Sequence, residues 1–404
     1  MMFRMKPGPS RFLNMALLAA ALASSAAARD YRLTIAPANV DRAVQVVAFP
    51  LPPDAPRSAA LRDATGATGP LQVDADGTAR FVITAQKAGE SLTFTLTSTL
   101  TASETGVTVS PDHGDLHISI GGRPALSYRM DAAALPRPDI DPKFKRAGYL
   151  HPVFSPAGRI VTGDFPSNHV HHHAIWTAWP KTRFQGRTPN SWEMGEQTGT
   201  VEFTALDRTW SGPVHGGFTA RQRMLDLSSA SPTAVLDETW ELTAYRVPGT
   251  RVPVQVFDLT VTQACATNDT LVLPKYHYGG LGYRGPDHWD GKPNLRVLTS
   301  NGETDREKAN LSRVNWCHVG GADAGTTVLG HPDNFRSPQP IRVHPDMPFL
   351  CFAPSQLGDW SIEPGRPYVA RYRFVVTDGP PDPAFLEACW SGYAQTAGVK
   401  IEPL

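Results

Sequence analysis

"VTVSPDHGDLHISIGGRPALSYRM", residues 107–130, alternates apolar and polar positions in short runs broken by Gly and Pro. A period of two between turn residues is the pattern of strands with one buried face. Strand-like runs continue from there to "PYVARYRFVVTDG", residues 367–379, and only "DPAFLEACWSGYAQT", residues 382–396, reads as a helix. The fold class is therefore all-β, a large antiparallel β-sandwich over residues 105–404. Upstream, "AVQVVAF" (43–49), "ARFVIT" (79–84) and "LTFTLTS" (92–98) are separated by "LPPDAP", "DATGATGP" and "DADG". These predict a small immunoglobulin-like β domain over residues 29–104. Gly and Pro supply 71 residues, many spaced as punctuation between runs, and no propeller or solenoid period is evident.

Arg4, Lys6 and Arg11 precede the apolar run Met15–Ala23, and Ala26-Ala27-Ala28 follow as a small-residue cleavage site. Residues 1–28 are expected to be a signal peptide, which makes the protein periplasmic or extracellular. The apolar run is far shorter than the roughly 20 residues that span a bilayer, so no membrane span is expected. Without that leader the chain holds 35 Lys and Arg against 38 Asp and Glu, with no basic patch, which argues against nucleic acid. Cys265, Cys317, Cys351 and Cys389 lie far apart without a C-x-x-C pair. They read as core thiols or up to two incidental disulfides rather than a zinc or redox motif.

The chemistry concentrates in "FPSNHVHHHAIWTAW", residues 165–179, which holds four of the chain's 13 histidines. On a strand, His169, His171 and His173 would share one face, and His172 and Trp176 the other. Same-face neighbours lie about 7 Å apart, so all three cannot reach one ion without a bulge. Two of them with a further ligand could hold one divalent metal ion, and a catalytic imidazole with supporting imidazoles fits equally well. The plainer alternative is a polar loop of hydrogen-bonded histidines. Asp164 before the cluster and Glu193 after it, beside Trp192, could supply a carboxylate partner. An apolar neighbour raises a carboxyl pKa, which favours Glu193 as the acid, whereas Asp164 could simply cap a turn.

"LPKYHYGGLGYRGPDHW", residues 273–289, interleaves Tyr276, His277, Tyr278 and Arg284 with glycines. Aromatic faces suit sugar C–H groups, and the polar side chains suit hydroxyl or carboxylate edges; His277 is a further catalytic candidate. Gly280-x-Gly282-x-x-Gly285 formally matches a dinucleotide fingerprint, but Pro286 follows and no βαβ unit surrounds it, so no nucleotide cofactor is expected. "GHPDNFRSPQP" (330–340) places Asn334 and Arg336 as a candidate site wall, and the second His-Pro-Asp, in "VHPDMPF" (343–349), reads as a turn. No G-x-S-x-G, H-E-x-x-H or P-loop is present.

Together, "YLHPVFSPAGRIVTGDFPSNHVHHHAIWTAW" (149–179), the Trp192-Glu193 pair, "KYHYGGLGYRGP" (275–286) and "HPDNFRSPQP" resemble the PmoA-like family of exported bacterial proteins over most of residues 145–340. Those proteins usually carry Gly where Ala174 stands. The resemblance implies a β-sandwich and a setting in polysaccharide use, with motif positions at His151, Asp164, His169, His171, His172, His173, Trp176, Glu193, Tyr278, Arg284 and Asn334. A galactose-mutarotase-like supersandwich is the expected fold by analogy. The family name, borrowed from a methane monooxygenase subunit, does not imply methane oxidation.

Three functions follow as expectations. The first is a secreted hydrolase or lyase acting on a glycoside or uronic-acid-containing sugar, a small-molecule or oligosaccharide substrate. His171, His173, Glu193, Asp164 and His277 would be catalytic. His151, His169, His172, Trp176, Trp192, Tyr276, Tyr278, Arg284, Asn334 and Arg336 would bind substrate. The second is a copper- or iron-dependent oxidoreductase using the histidines. The third is a non-catalytic sugar-binding protein.

Overall fold

The computed structural model describes residues 29–56, 58–98, 106–131 and 135–404; the expected signal peptide, 1–28, lies outside the described residues. Strands dominate, and two eight-stranded antiparallel sheets form the body of the protein. The front sheet runs Ile341–Val343, Phe349–Phe352, Gly280–Arg284, Ile175–Ala178, Tyr149–Val153, Arg123–Arg129, Asp115–Ile120 and Val107–Asp112. The back sheet is built from longer strands, with Thr233–Tyr245 and Val254–Cys265 near its centre. The alternation of residues 107–130 is realised as Val107–Asp112, Asp115–Ile120 and Arg123–Arg129, joined by tight turns.

Between the sheets lies one continuous apolar core: Leu116, Ile118, Leu126, Leu150 and Ile175 meet Phe218, Trp240, Leu259 and Phe374. A fully buried carboxylate, Glu238, is set into it. Its Oε1 accepts from Thr177 Oγ1 at 2.7 Å and from Trp240 Nε1 at 2.6 Å, and Gln222 and Gln263 complete the shell. Burial pushes this carboxyl up, and its donors oppose that. The network ties the strand Ile175–Ala178 to the back sheet directly beneath the histidine loop.

Residues 29–98 supply four strands of a five-stranded sheet and all of a three-stranded one, around Leu33, Ile35, Val47, Phe81 and Leu96. The boundary read from sequence needs one correction. Val399–Pro403, assigned to the large domain, pairs with Tyr31–Ile35 and turns Val399 and Ile401 toward the small core. The pairing covers what would otherwise be an exposed strand edge. The helix Pro383–Ala394, capped by Asp382, packs its Gly392 against the carbonyl of Ala43, where a Cβ would stand 2.4 Å from that oxygen. Arg373, held by Asp258 at 2.7 and 2.9 Å, donates to Val44 O at 2.7 Å. These contacts clamp the small domain to the back sheet. All four cysteines are free thiols, three of them buried, so the disulfides the spacing allowed are not formed. Among the described residues no helix is long and apolar enough to cross a membrane.

Candidate functional site

Alternation divides the front sheet into two faces. Ile175, Leu281, Tyr283, Ile341, Leu350 and Phe352 enter the inter-sheet core. Tyr149, Trp176, Ala178, Phe349 and Cys351 point outward and form a second apolar cluster with Trp192 and Met347, against which Tyr278 packs. That outer cluster is the floor of the site. Gly282 faces Trp176 across the ladder, and a Cβ there would lie 2.9 Å from indole Cζ2. The spacing of glycines in 280–285 thus serves a central strand that makes room for a tryptophan. Gly282→Ala is expected to cost about 1–3 kcal/mol by overpacking a ring that cannot retreat; urea unfolding checks this.

The histidines do not lie on a strand, and here the sequence reading is corrected. Residues 165–174 form successive turns: His169 N donates to Pro166 O at 3.1 Å and His172 N to His169 O at 2.9 Å. Phe165 (φ 47°) and Ala174 (φ 51°) bracket the loop in the left-handed region, so the extended strand begins only at Ile175. Ala174 therefore stands at a position glycine enters without steric cost.

Turning regroups the rings. His169, His171 and His172 converge on a pocket of about 170 Å³, while His173 points away from it. His172 is stacked between His169 (5.0 Å, 26°) and Phe349 (4.9 Å, 18°), and tilts onto Trp176 at 5.2 Å. His171 meets His172 edge-on at 4.7 Å. Trp192, Glu193, His277, Tyr278, Arg342 and His344 also line the pocket. Burial, reinforced by neighbouring imidazoles, holds His172 well below the usual histidine pKa and lowers His169; burial and Arg342 lower His277 and push His344 down to about 4. These four rings are consequently neutral at pH 7. His169 Nδ1, His171 Nε2, His172 Nδ1 and Trp176 Nε1 are buried without a hydrogen-bond partner in the protein.

Glu193 Oε1 lies 3.0 Å from His171 Nε2, close enough for an ion pair though out of line for a hydrogen bond, with side-chain exposures of 32% and 12%. The carboxylate is positioned by a residue the sequence reading missed. Asn190 Oδ1 accepts from Trp192 N at 3.0 Å and Glu193 N at 2.8 Å, and its amide donates to Glu196 Oε2 at 3.1 Å. An Asn three residues before a candidate acid was the available signal, since Asx turns aim such segments. Glu193 and Tyr278 also line an adjoining cleft of about 400 Å³ with Lys181, Glu196 and Tyr276, so Tyr276 stands beside the imidazole pocket and not within it.

His173 and Asp164, expected to be catalytic, form a separate buried unit. His173 is fully buried, its Nδ1 3.2 Å from Asp164 Oδ1, its ring against Tyr149 and Phe165. Tyr149 Oη donates to Asp164 Oδ2 at 3.0 Å. Burial pushes His173 down to about 4, and it does likewise to His318, buried in the back sheet. Both rings stay neutral in the fold, whereas the unfolded chain takes protons below the ordinary value near 6.5. Stability is thus fully present above about pH 6.5 and lost as pH falls toward 4. Each ring is expected to remove about 2 kcal/mol by pH 5, measurable as a lower urea midpoint at pH 5 than at pH 7.5.

Other positions also move. Arg284 is wholly buried, bound through Nη2 to Asp290 at 2.9 Å, Asp287 at 3.2 Å and Asn168 at 3.2 Å. It anchors the histidine loop through Asn168 and does not line the pocket, so it is not placed as a direct clamp. Trp176 is likewise floor rather than wall. His151 and Asp164 border a different cleft of about 740 Å³ with His288 and Asp323. Asn334 is not at the site: its amide pairs with both backbone groups of Arg371, at 2.8 and 2.7 Å. Arg336 is also structural, donating to the carbonyls of Pro354, Gly358 and Asp359. The two His-Pro-Asp copies exchange roles. Both make the same turn, Asp333 N to His331 Nδ1 and Asp346 N to His344 Nδ1, but the second, read as a plain turn, brings His344 within 5.9 Å of His169.

The proposed metal set His169, His171 and His173 is not assembled, because His173 faces Asp164. Stacked rings also hold their lone pairs in parallel planes rather than toward one centre. Among the described residues no three His, Cys, Asp or Glu side chains are arranged to hold a metal ion.

Fold and site define an all-β protein whose body is two large sheets, with a histidine and aromatic pocket on the outer face of one of them. The chain belongs to a family of unknown function, DUF6807, whose model matches residues 115–391 and so spans the back sheet, the pocket and all of the front sheet but Val107–Asp112. No curated protein matches the sequence. Among solved structures, a protein in glycosyl hydrolase family 38 from Enterococcus faecalis is similar at a TM-score of 0.44 and 11% identity, over 93% of this chain and 47% of that one. An alpha-mannosidase from Enterococcus faecalis V583 is similar at 0.40 and 11%, over 94% and 46%. The chain spans about half the length of these structures, and likenesses this distant carry no argument about activity.

Proposed function

We propose that this protein is an exported carbohydrate-active enzyme, a lyase or hydrolase acting on a sugar, with His171 and Glu193 as the proton-transfer pair. The observation that carries this reading is the set of unpartnered nitrogens on His169 and His172 beside the His171–Glu193 pair, around one aromatic-walled pocket. Several fixed polar atoms over flat apolar rings suit a ligand with many hydroxyls and exposed C–H faces. The resemblance to PmoA-like proteins is part of the proposal, as are export and polysaccharide use.

Elimination is supported better than two-carboxylate hydrolysis. The pocket pairs one carboxylate with an imidazole, whereas glycoside hydrolysis ordinarily uses two carboxylates flanking the bond. In an elimination, His171, oriented by Glu193, takes a C–H proton; the electron pair left behind forms a C=C bond, the adjacent C–O bond breaks, and the departing oxygen takes a proton. Tyr278, whose phenol burial pushes up and keeps protonated, stands at the pocket as its donor. The test is a panel of neutral and acidic polysaccharides assayed by mass spectrometry. Products lighter than hydrolysis products by one water support elimination, full-mass products support hydrolysis, and binding without turnover identifies a sugar-binding protein.

A further inference from the structure

We infer that Arg342 reads a carboxylate on the substrate, which makes the substrate class an acidic sugar, a uronate; this deepens the reading above and rests on it. Arg342 sits at the centre of Ile341–Val343, the edge strand of the front sheet. Ile341 and Val343 are buried in the core, so alternation turns Arg342 to the outer face, where it lines the imidazole pocket. Its one hydrogen bond is long, 3.4 Å from Nη1 to the carbonyl of Val343, and it meets no carboxylate among the described residues.

Other guanidiniums without a carboxylate are held by short hydrogen bonds, Arg146 to Thr177 O at 2.6 Å, Arg336 to Pro354 O and Gly358 O at 2.8 Å and Arg42 to Gln395 Oε1 at 2.6 Å; Arg342 has neither kind of partner among the described residues. The other guanidinium beside the histidine loop, Arg284, is matched by Asp287 and Asp290, and buried Arg373 by Asp258. The pocket's own carboxylate, Glu193, is engaged with His171. The ionisable groups facing Arg342 are Tyr278, Cys351, His277 and His344, and at pH 7 all are neutral: burial raises the thiol to about 12 and the phenol higher still, and lowers both imidazoles. A partly buried guanidinium among neutral groups is short of a counter-charge, and its planar fork fits a carboxylate through two parallel hydrogen bonds. The same contact serves elimination, because neutralising a carboxylate acidifies the C–H beside it. Nothing local in the sequence marks this residue.

The experiment is calorimetric or ligand-observed NMR titration of the whole protein with glucuronate and galacturonate, beside glucose and galactose. Wild type is expected to bind the uronates about tenfold or more tightly than the hexoses, the scale of a charge-assisted hydrogen-bond pair. Arg342→Gln is expected to bring the two classes within about threefold, and Arg342→Lys to keep part of the preference, as a charge without the fork. Equal binding of uronates and hexoses by wild type overturns the inference and leaves the sugar reading standing. So does a preference that survives Arg342→Gln and disappears in Lys181→Gln, which would assign it to the adjoining cleft. Failure of all four sugars, together with no turnover on the polysaccharide panel, removes both.

Discussion

Glu193→Gln is expected to lower turnover by about 10²–10⁴-fold, the usual contribution of a positioned acid or base. The amide keeps the size of the carboxyl but can neither accept a proton from the imidazole nor balance its charge. The fold should be indifferent: the side chain is 32% exposed, its one ion-pair contact among the described residues is with His171, and the turn that presents it is held by Asn190 through backbone groups. Stability within about 1 kcal/mol of wild type is therefore expected. His171→Ala should match the loss, and the double variant should be little worse than either, because the two act as one unit. Activity within tenfold of wild type in both single variants would show that the chemistry lies elsewhere.

His173→Ala should behave in the opposite way. Two residues along the same run, it removes the ring that shares a buried carboxylate. Asp164, with a side chain only 6% exposed, would keep Tyr149 but lose His173 beside a new cavity. Losing a hydrogen bond to a buried carboxylate and leaving a cavity costs about 2–4 kcal/mol, a large fraction of the stability of a typical domain. The expected result is a greatly lowered urea midpoint, with His173→Asn, which can still donate to Asp164, falling less. Equal stability of His171→Ala and His173→Ala would contradict the division of the cluster into a pocket group and a structural group.

That division marks where the sequence stopped being legible. The all-β class was readable because period-two alternation survives in strands with one buried face, as in Asp115–Ile120, and the terminal helix announced itself with Asp382 and Pro383. The pairing of Val399 and Ile401 with the first strand was not, since nothing local distinguishes an N-terminal partner from a nearer one. Within the histidine run, alternation gave the wrong trio, because the turns that break it rest on left-handed Phe165 and Ala174 where a glycine would have been the visible signal. Glu193 was found through its apolar neighbour Trp192. Arg342 and His344 were missed because the edge strand and turn that carry them are distant in sequence, and His344 makes the same local turn as His331, which the fold places elsewhere. Local chemistry supplied the candidate residue types; the pairing of strands decided which copies of them meet.

The account stands or falls on which imidazoles meet the ligand. In the protein labelled with ¹⁵N at its 13 histidines, titration with glucuronate should shift the ring resonances of His169, His171 and His172. It should leave those of His173 and His318, and of His151 and His288 at the larger cleft, in place. Shifts confined to His151 and His288, or movement of His173 with the pocket rings unmoved, would contradict it.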